Sequence, residues 1–487
     1  MAAPTPRMAR QASRASQVVR MRSSSTGPGA LSSPLHCLPP AKDVSRRTIA
    51  AASLAQTSSS HSLRWRPISV LDDWVAKEAR PISLRQLMVF GRSLTEARLI
   101  SSANYVRTEL PTRLAHRLRD IQQLPYAVVS NPHVHAVYEL YYNAFDMFRK
   151  VKEVKTLDDN DVLCNVINQT LQAHLPVIPK LAMGILESSE LMPARDLDKF
   201  MNTILRARIS RRVIAEQHLA LTETFNSSWY SPGAPLPENH EFIGEVFLKC
   251  QARDVIDRCA KAVCALARSA YGPDVQLPEI RLTGHLDTTF PYILSHLEYI
   301  VGELLRNAVQ ATVERHQRRQ QEDPARYATN GLPPPPPPIE ITLAEAAQHV
   351  IIRVSDQGGG VPHDMMPYLW SFSKGKHSQR LLENLKKVPR MAATLQELSV
   401  DANSSSSSSS SNDGEHPHNN SLASLSQRPP NLRLGMGLPL SRVYAEYWAG
   451  SLELHSLEGY GVDAFLQISK LGNKNEQLTM RASMDAV

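Results

Sequence analysis

Long hydrophobic runs are missing from this 487-residue chain. No stretch is apolar over the roughly 18 residues that a bilayer-spanning helix needs, which excludes a helical membrane protein. Cysteine is scarce as well. Cys37, Cys164, Cys250, Cys259 and Cys264 fall into no metal-ligand or redox spacing, so neither a zinc module nor a disulfide scaffold is expected. Acid is missing from the first 63 positions apart from Asp43. Eight basic residues oppose it there: Arg7, Arg10, Arg14, Arg20, Arg22, Lys42, Arg46 and Arg47. That segment alone accounts for the whole formal net charge of +7. The remaining chain is close to neutral, so the basic balance gives no reason to expect nucleic-acid binding. A leader rich in Arg, Ser and Ala and poor in acid has the composition of a mitochondrial transit peptide, and residues 1–62 are assigned to one.

What is present divides in two. From about 65 to 230 the pattern is helical, with amphipathic stretches around 83–120, 134–152, 160–189 and 196–223, as in a helical bundle. A loop at 226–239 rich in Pro, Ser, Asn and Gly marks a boundary. Beyond it a helix is expected at 241–270, then mixed strands and helices, ending in a hairpin of 452–456 and 462–468 around EGYG. The hexaproline Pro333–Pro338 reads as a stiff polyproline spacer. The serine run Ser404–Ser411, with its Asn, His and Pro surroundings, buries too little apolar surface to fold.

Three motifs occur in the second half. In GELLRNAVQATVE, residues 302–314, an apolar stripe of Leu297, Ile300, Val301, Leu304, Leu305, Ala308 and Thr312 recurs at helical spacing. Glu303, Asn307, Gln310 and Glu314 take the other side. A solvated helix face would look the same. An asparagine amide oxygen is also a hard neutral ligand suited to Mg²⁺. Glu303, one turn earlier, is placed to orient or deprotonate a nucleophile near such a metal. The second motif, VSDQGGG at 354–360, ends a short apolar strand. Asp356 offers an acceptor for an adenine amino group, and the glycines let backbone approach a ligand; a plain polar turn would also use these residues. In the third, GMGLPL at 435–440, Gly435 and Gly437 precede a helix at 439–448. They can present N–H groups to phosphate at a helix N-terminus, or form an ordinary turn. In this order the three resemble the nucleotide site of the ATPases shared by gyrase, Hsp90, MutL and histidine kinases.

The resemblance extends further. ELPTRLAHRLRDIQQLP at 109–125, NPHVHAVYELYYNAF at 131–145 and RARISRRVIAEQHLAL at 206–221, together with the three motifs, resemble the mitochondrial kinases of 2-oxoacid dehydrogenase complexes. The implied fold is α+β in two domains. A helical-bundle regulatory and partner-binding domain occupies 63–235, and an ATP-binding α/β sandwich occupies 241–472. The latter carries a disordered lid insertion at about 385–430, and a tail follows at 473–487. The implied activity is Mg²⁺- and ATP-dependent phosphorylation of a serine on the E1 component in the mitochondrial matrix, which inactivates it. A lipoyl-bearing E2 core and a second copy of the chain are the other implied partners.

By the same resemblance Glu303 is the general base, Asn307 the metal ligand and Asp356 the adenine contact. Gln310, Gly358, Gly360, Gly435, Met436, Gly437 and Leu438 touch nucleotide. So do Ser373 and Lys374, although FSKGKH departs from the family there. Arg208 and Arg212 match arginines of an oxoacid-sensing pocket, or else form a salt-bridged helix face. LAHRLRD, NPHVHAVYELY, HLALTE, AEYWAGSLELHSLEG and Tyr299, four residues before Glu303, resemble the branched-chain branch, so the branched-chain complex is the expected substrate, with the pyruvate complex as the alternative. EGYG favours the pyruvate branch, whose C-terminal Asp-Trp is absent here. Two other readings are a histidine kinase, for which His240-Glu241 is the only His-Glu pair, and a non-catalytic scaffold that binds ATP.

Overall fold

The computed structural model describes residues 68–227, 242–322, 334–373, 378–389 and 433–470. The proposed leader, His240, Pro333, Lys374, the serine run and the tail lie outside the described residues.

The first part is all helix. It comprises α1 (Ile68–Val75), α2 (Leu84–Gly91), α3 (Glu96–Gln122), α4 (Tyr126–Val129), α5 (Pro132–Arg149), α6 (Leu157–Ala173), α7 (Val177–Glu187) and α8 (Ala194–Asn226). Two of the expected stretches are each a pair of helices. The break in 83–120 falls before Thr95, whose hydroxyl accepts from Arg98 N and starts α3. Ser83 and Gln86 close a capping box at the start of α2, a device worth about 1 kcal/mol. The break in 160–189 falls at Leu175–Pro176, since proline cannot continue α6. α3, α5, α7 and α8 pack on one another around Leu114, Leu118, Tyr141, Phe145, Leu181 and Ile204, all fully or almost fully buried.

The second part is mixed. β1 (Phe242–Ile243), β2 (Val246–Gln251) and β4 (Thr289–Ile293) form a small sheet. A five-stranded sheet has the order β3 (Ile280–Gly284), β5 (Ile339–Glu345), β6 (His349–Asp356), β8 (Gly461–Ser469), β7 (Ser451–Leu457). β3 and β5 are parallel and the other neighbours antiparallel. Helices α9 (Ala252–Tyr271), α10 (Leu294–Glu322), α11 (Ser378–Lys386) and α12 (Gly437–Tyr447) complete it. α10 lies on β6, while α12 lies on β7 and β8.

The helix expected at 241–270 is therefore corrected at its start. FIGEVFLKCQ folds as a hairpin, with Gly244 at φ +59° in the turn and Phe247 opposite Phe242. A short apolar run of aromatic and β-branched residues suits a strand as well as a helix, and the turn glycine decides. The insertion expected at about 385–430 overlaps described residues at its start. Leu385 is fully buried in α11, which packs on α7; residues 390–430 lie outside the described residues.

α8 ties the helical part to the mixed part at three points. Phe372 N donates to Asp198 at 2.7 Å, Arg206 pairs with Glu446, and Gln217 accepts from Glu245 N at 2.8 Å.

Candidate active site

α10 follows β4 without a linker, so its first turns are driven straight into the core. From Tyr292 to Val309 every residue is buried except Asn307, which is exposed. Among the described residues its amide makes no hydrogen bond. Glu303, for which a solvated helix face was the alternative to a catalytic role, is only 3 % exposed. The covering element is the start of α12. A Cβ built on Gly437 would stand 2.3 Å from Glu303 Oε2, so glycine lets this helix end settle over the carboxylate without displacing it. Arg306 Nη1 lies 3.6 Å from Glu303 Oε1.

β6 alternates strictly, with Val350, Ile352, Val354 and Asp356 turned to the inner face. The alternation thus delivers a carboxylate to the end of the strand on the core side. Burial pushes the Asp356 carboxyl up to about 6, even though bonds from the Gly358 and Val462 backbone oppose the shift. Gly358 N donates to Asp356 Oδ1 at 2.7 Å. A Cβ at Gly358 would meet the backbone of Ala311 at 2.9 Å, so glycine is required for this turn to lie against α10.

Between α10, the Gly358–Gly360 turn, residues 433–438 and the β7–β8 turn lies a cavity of about 840 Å³. It brings together Glu303, Asn307, Gln310, Asp356, Gly358, Gly360, Gly435, Gly437 and Leu438 from three separate sequence motifs. The N-terminus of α12 opens on it, where unsatisfied N–H groups and the helix dipole favour an anion. No group of three or more His, Cys, Asp or Glu able to hold a metal occurs among the described residues. Any Mg²⁺ here would take Asn307 and fill its other positions with water and phosphate oxygens, as Mg²⁺ prefers.

Two of the expected residues stand elsewhere. Met436 is buried as the residue preceding α12 and Ser373 is buried 3.0 Å from the Ser371 hydroxyl; neither lines the cavity. Arg208 and Arg212 sit apart, in the helical bundle. They are not on a solvated face: with Arg211, His174, Thr170 and Phe148 they line a space of only about 30 Å³. Arg212 pairs with Glu216, and the Arg211 guanidinium lies 4.5 Å from the centre of the Tyr141 ring. Burial, helped by Arg211, pushes His174 down to about 3 and keeps it neutral.

The expected site residues omitted four arginines of the cavity: Arg306, which lies within the first motif, Arg315, Arg318 and Arg433. Arg315 donates to Gln357 O at 2.7 Å and to the carbonyls of Gly459 and Tyr460, pinning the glycine turn to the hairpin turn. The face of α10 that holds 303, 307, 310 and 314 runs on through 311, 315 and 318 at steps of four, and following it would have found two of the four.

A model of the mitochondrial branched-chain alpha-ketoacid dehydrogenase kinase family matches residues 81–247. A model of the histidine kinase-, DNA gyrase B- and HSP90-like ATPases matches residues 293–471. The chain is 31 % identical to mitochondrial [pyruvate dehydrogenase (acetyl-transferring)] kinase 2 of Saccharomyces cerevisiae, over 84 % of this chain and 86 % of that protein. Identity to the mitochondrial pyruvate dehydrogenase kinase of Arabidopsis thaliana is 29 %, over 85 % and 97 %. To human isozyme 4 it is 27 %, over 81 % and 82 %. With both halves matched and the cavity built from the ATPase motifs, the chain belongs to the mitochondrial 2-oxoacid dehydrogenase kinase family and is an ATP-dependent protein-serine/threonine kinase.

Proposed function

We propose that this kinase acts on the E1 component of the pyruvate dehydrogenase complex. The branched-chain preference read from LAHRLRD, HLALTE and Tyr299 gives way to the relatives, which are named as pyruvate dehydrogenase kinases and align over more than four-fifths of the chain. The EGYG turn points the same way, although the family description matching 81–247 is the branched-chain one. Purified chain with Mg²⁺-ATP and each E1 component in turn tests the choice. Serine phosphorylation of the pyruvate component at least tenfold faster than of the branched-chain component is the expected result (a tenfold ratio is about 1.4 kcal/mol of discrimination). The reverse ratio would overturn the assignment. Acid-labile phosphohistidine would instead favour the histidine-kinase reading, and no transfer to either component the scaffold.

The reading rests above all on one juxtaposition: buried Glu303 and open Asn307, one turn apart on α10, in the same cavity as Asp356 and the N-terminus of α12. In this reading Asp356 accepts from the adenine amino group. Gln310, Gly358 and Gly360 flank the base and sugar, and Gly435, Gly437 and Leu438 lie along the phosphates. Asn307 would hold Mg²⁺, which when bound would supply charge neutralisation to the phosphates. Glu303 orients the substrate serine and takes its proton as the new bond forms. Phosphoryl transfer depends on placement and electrostatics more than on covalent help, and the cavity offers both. Arg208 and Arg212 are assigned to an oxoacid effector, which would have to widen the small space they line. A homodimer, docking on the lipoyl-bearing E2 core, residence in the matrix and the leader at 1–62 complete the proposal.

One pH effect follows. The ionised Asp356 is the stronger acceptor for the adenine amino group, and burial raises its carboxyl to about 6. Affinity for ATP should therefore weaken as pH falls through that value, beyond any change due to the nucleotide itself. Asp356→Asn should bind weakly at every pH and lose this step. Parallel titrations of the two proteins with the same nucleotide separate the contributions; identical pH profiles would remove Asp356 from the adenine contact.

A further inference from the structure

We propose that Arg433 and Glu314 form a staple that positions the Gly435–Leu438 loop and sets nucleotide affinity, an inference that rests on reading the cavity as the ATP site. Arg433 Nη2 lies 2.6 Å from both carboxylate oxygens of Glu314. The same carboxylate accepts from Gln310 Nε2 at 2.9 Å and from the Tyr271 hydroxyl at 3.1 Å. The Arg433 carbonyl accepts from Asn384 Nδ2 at 2.8 Å. Arg433 thus joins α10 to α11, the Glu314 carboxylate adds α9, and α11 leans on α7 of the helical bundle. Two positions later the chain turns at Gly435, with φ +71°, into the loop that covers Glu303.

An exposed ion pair alone contributes little, and Arg433 is 58 % exposed. This pair differs because the carboxylate is held by donors from three elements and the arginine's own backbone by a fourth. Burial would raise the Glu314 carboxyl, but the bonds from Arg433 and Gln310 outweigh it and hold the group below its ordinary range. Burial beside Glu314 pushes Tyr271 up to about 12, so it remains a donor. The carboxylate is therefore a permanent negative charge on the wall of a cavity that receives a polyanion. Arg433 has two tasks: it anchors the loop and cancels that charge.

The two tasks give an asymmetric signature. Arg433→Ala should raise the KM for ATP about tenfold while kcat stays within about twofold, because the loss is of binding and not of transition-state contact. Glu314→Gln should cost less, since it keeps the bonds to its neighbours and leaves no bare charge. Adding Glu314→Gln to Arg433→Ala should recover about a third to a half of the loss on a logarithmic scale, since removing a coupled partner is not additive. Arg433→Lys, which keeps the charge, should stay within about threefold of the native KM, and thermal melting of each variant verifies the fold. A native KM in Arg433→Ala would overturn the staple, as would a double variant as poor as the product of the two singles. Asp356→Asn tells this failure from failure of the reading beneath it. If that variant binds ATP normally, the cavity is not the ATP site; if it loses ATP while Arg433→Ala does not, only the staple falls.

Discussion

Glu303→Gln is expected to bind ATP with near-native affinity and to transfer phosphate about 10²–10⁴-fold more slowly. Glutamine keeps the shape and the space against Gly437 but cannot accept a proton at neutral pH. The carboxylate is needed chiefly in the transition state, so the loss should fall on turnover and spare nucleotide binding. One turn before this glutamate α10 carries a tyrosine. Tyr299 is buried with its ring 5.1 Å from that of Tyr444, and the charged neighbour of Glu303 is Arg306, one turn further along. Single-turnover measurement with ATP already bound gives the number. A fall of less than tenfold would mean that serine activation does not depend on this carboxylate and that charge stabilisation carries the reaction.

Gly437→Ala should fold normally and still lose about 10²-fold in turnover. The backbone at 437 is helical and not left-handed, so alanine fits it and even gains helix propensity, by up to about 1 kcal/mol. The conflict is local: the new methyl would stand 2.3 Å from Glu303 Oε2. The tip of a glutamate yields more readily than backbone, so the carboxylate moves into the cavity and away from the serine. Displacement of about 1 Å at a reacting group costs on this order. Combined with Glu303→Gln the substitution should add little, because both act through one group. Unchanged turnover in Gly437→Ala, with its melting temperature at or above the native one, would show that the glycine serves only the loop.

Much of this site could be read along the chain because its parts are local. Asn307 lies one turn from Glu303, Asp356 ends an alternating strand, and Gly437 opens a helix. Each is a short-range pattern, and their order suggested that they meet. The expected helical bundle likewise followed from periodicity over long stretches, whereas the sandwich came from the family resemblance. What could not be read depends on distant segments meeting. The burial of Glu303 could not be read because its cover, Gly437, is 134 positions away. Arg433 stands outside the three motifs, and only the fold sets it against Glu314. Met436 and Ser373 carried the right neighbours in sequence, but their side chains turn into the core. The strands at 242–251 were lost to a different ambiguity, since a brief apolar run has too few residues to reveal its period.

α8 has a consequence for how this protein can vary. From Ile204 to His218 every residue is buried, including four arginines, a glutamate, a glutamine and a histidine. No turn of that stretch faces water, so it has no side on which change is neutral. A smaller apolar residue leaves a cavity, and a shortened polar one strands its partner, each at a cost of about 1–5 kcal/mol. The same turns connect the bundle to Glu446 and to the β1–β2 hairpin. Natural drift should therefore be slowest here, and a polymorphism in these fifteen positions is more apt to lower the amount of enzyme in the cell than to alter its chemistry.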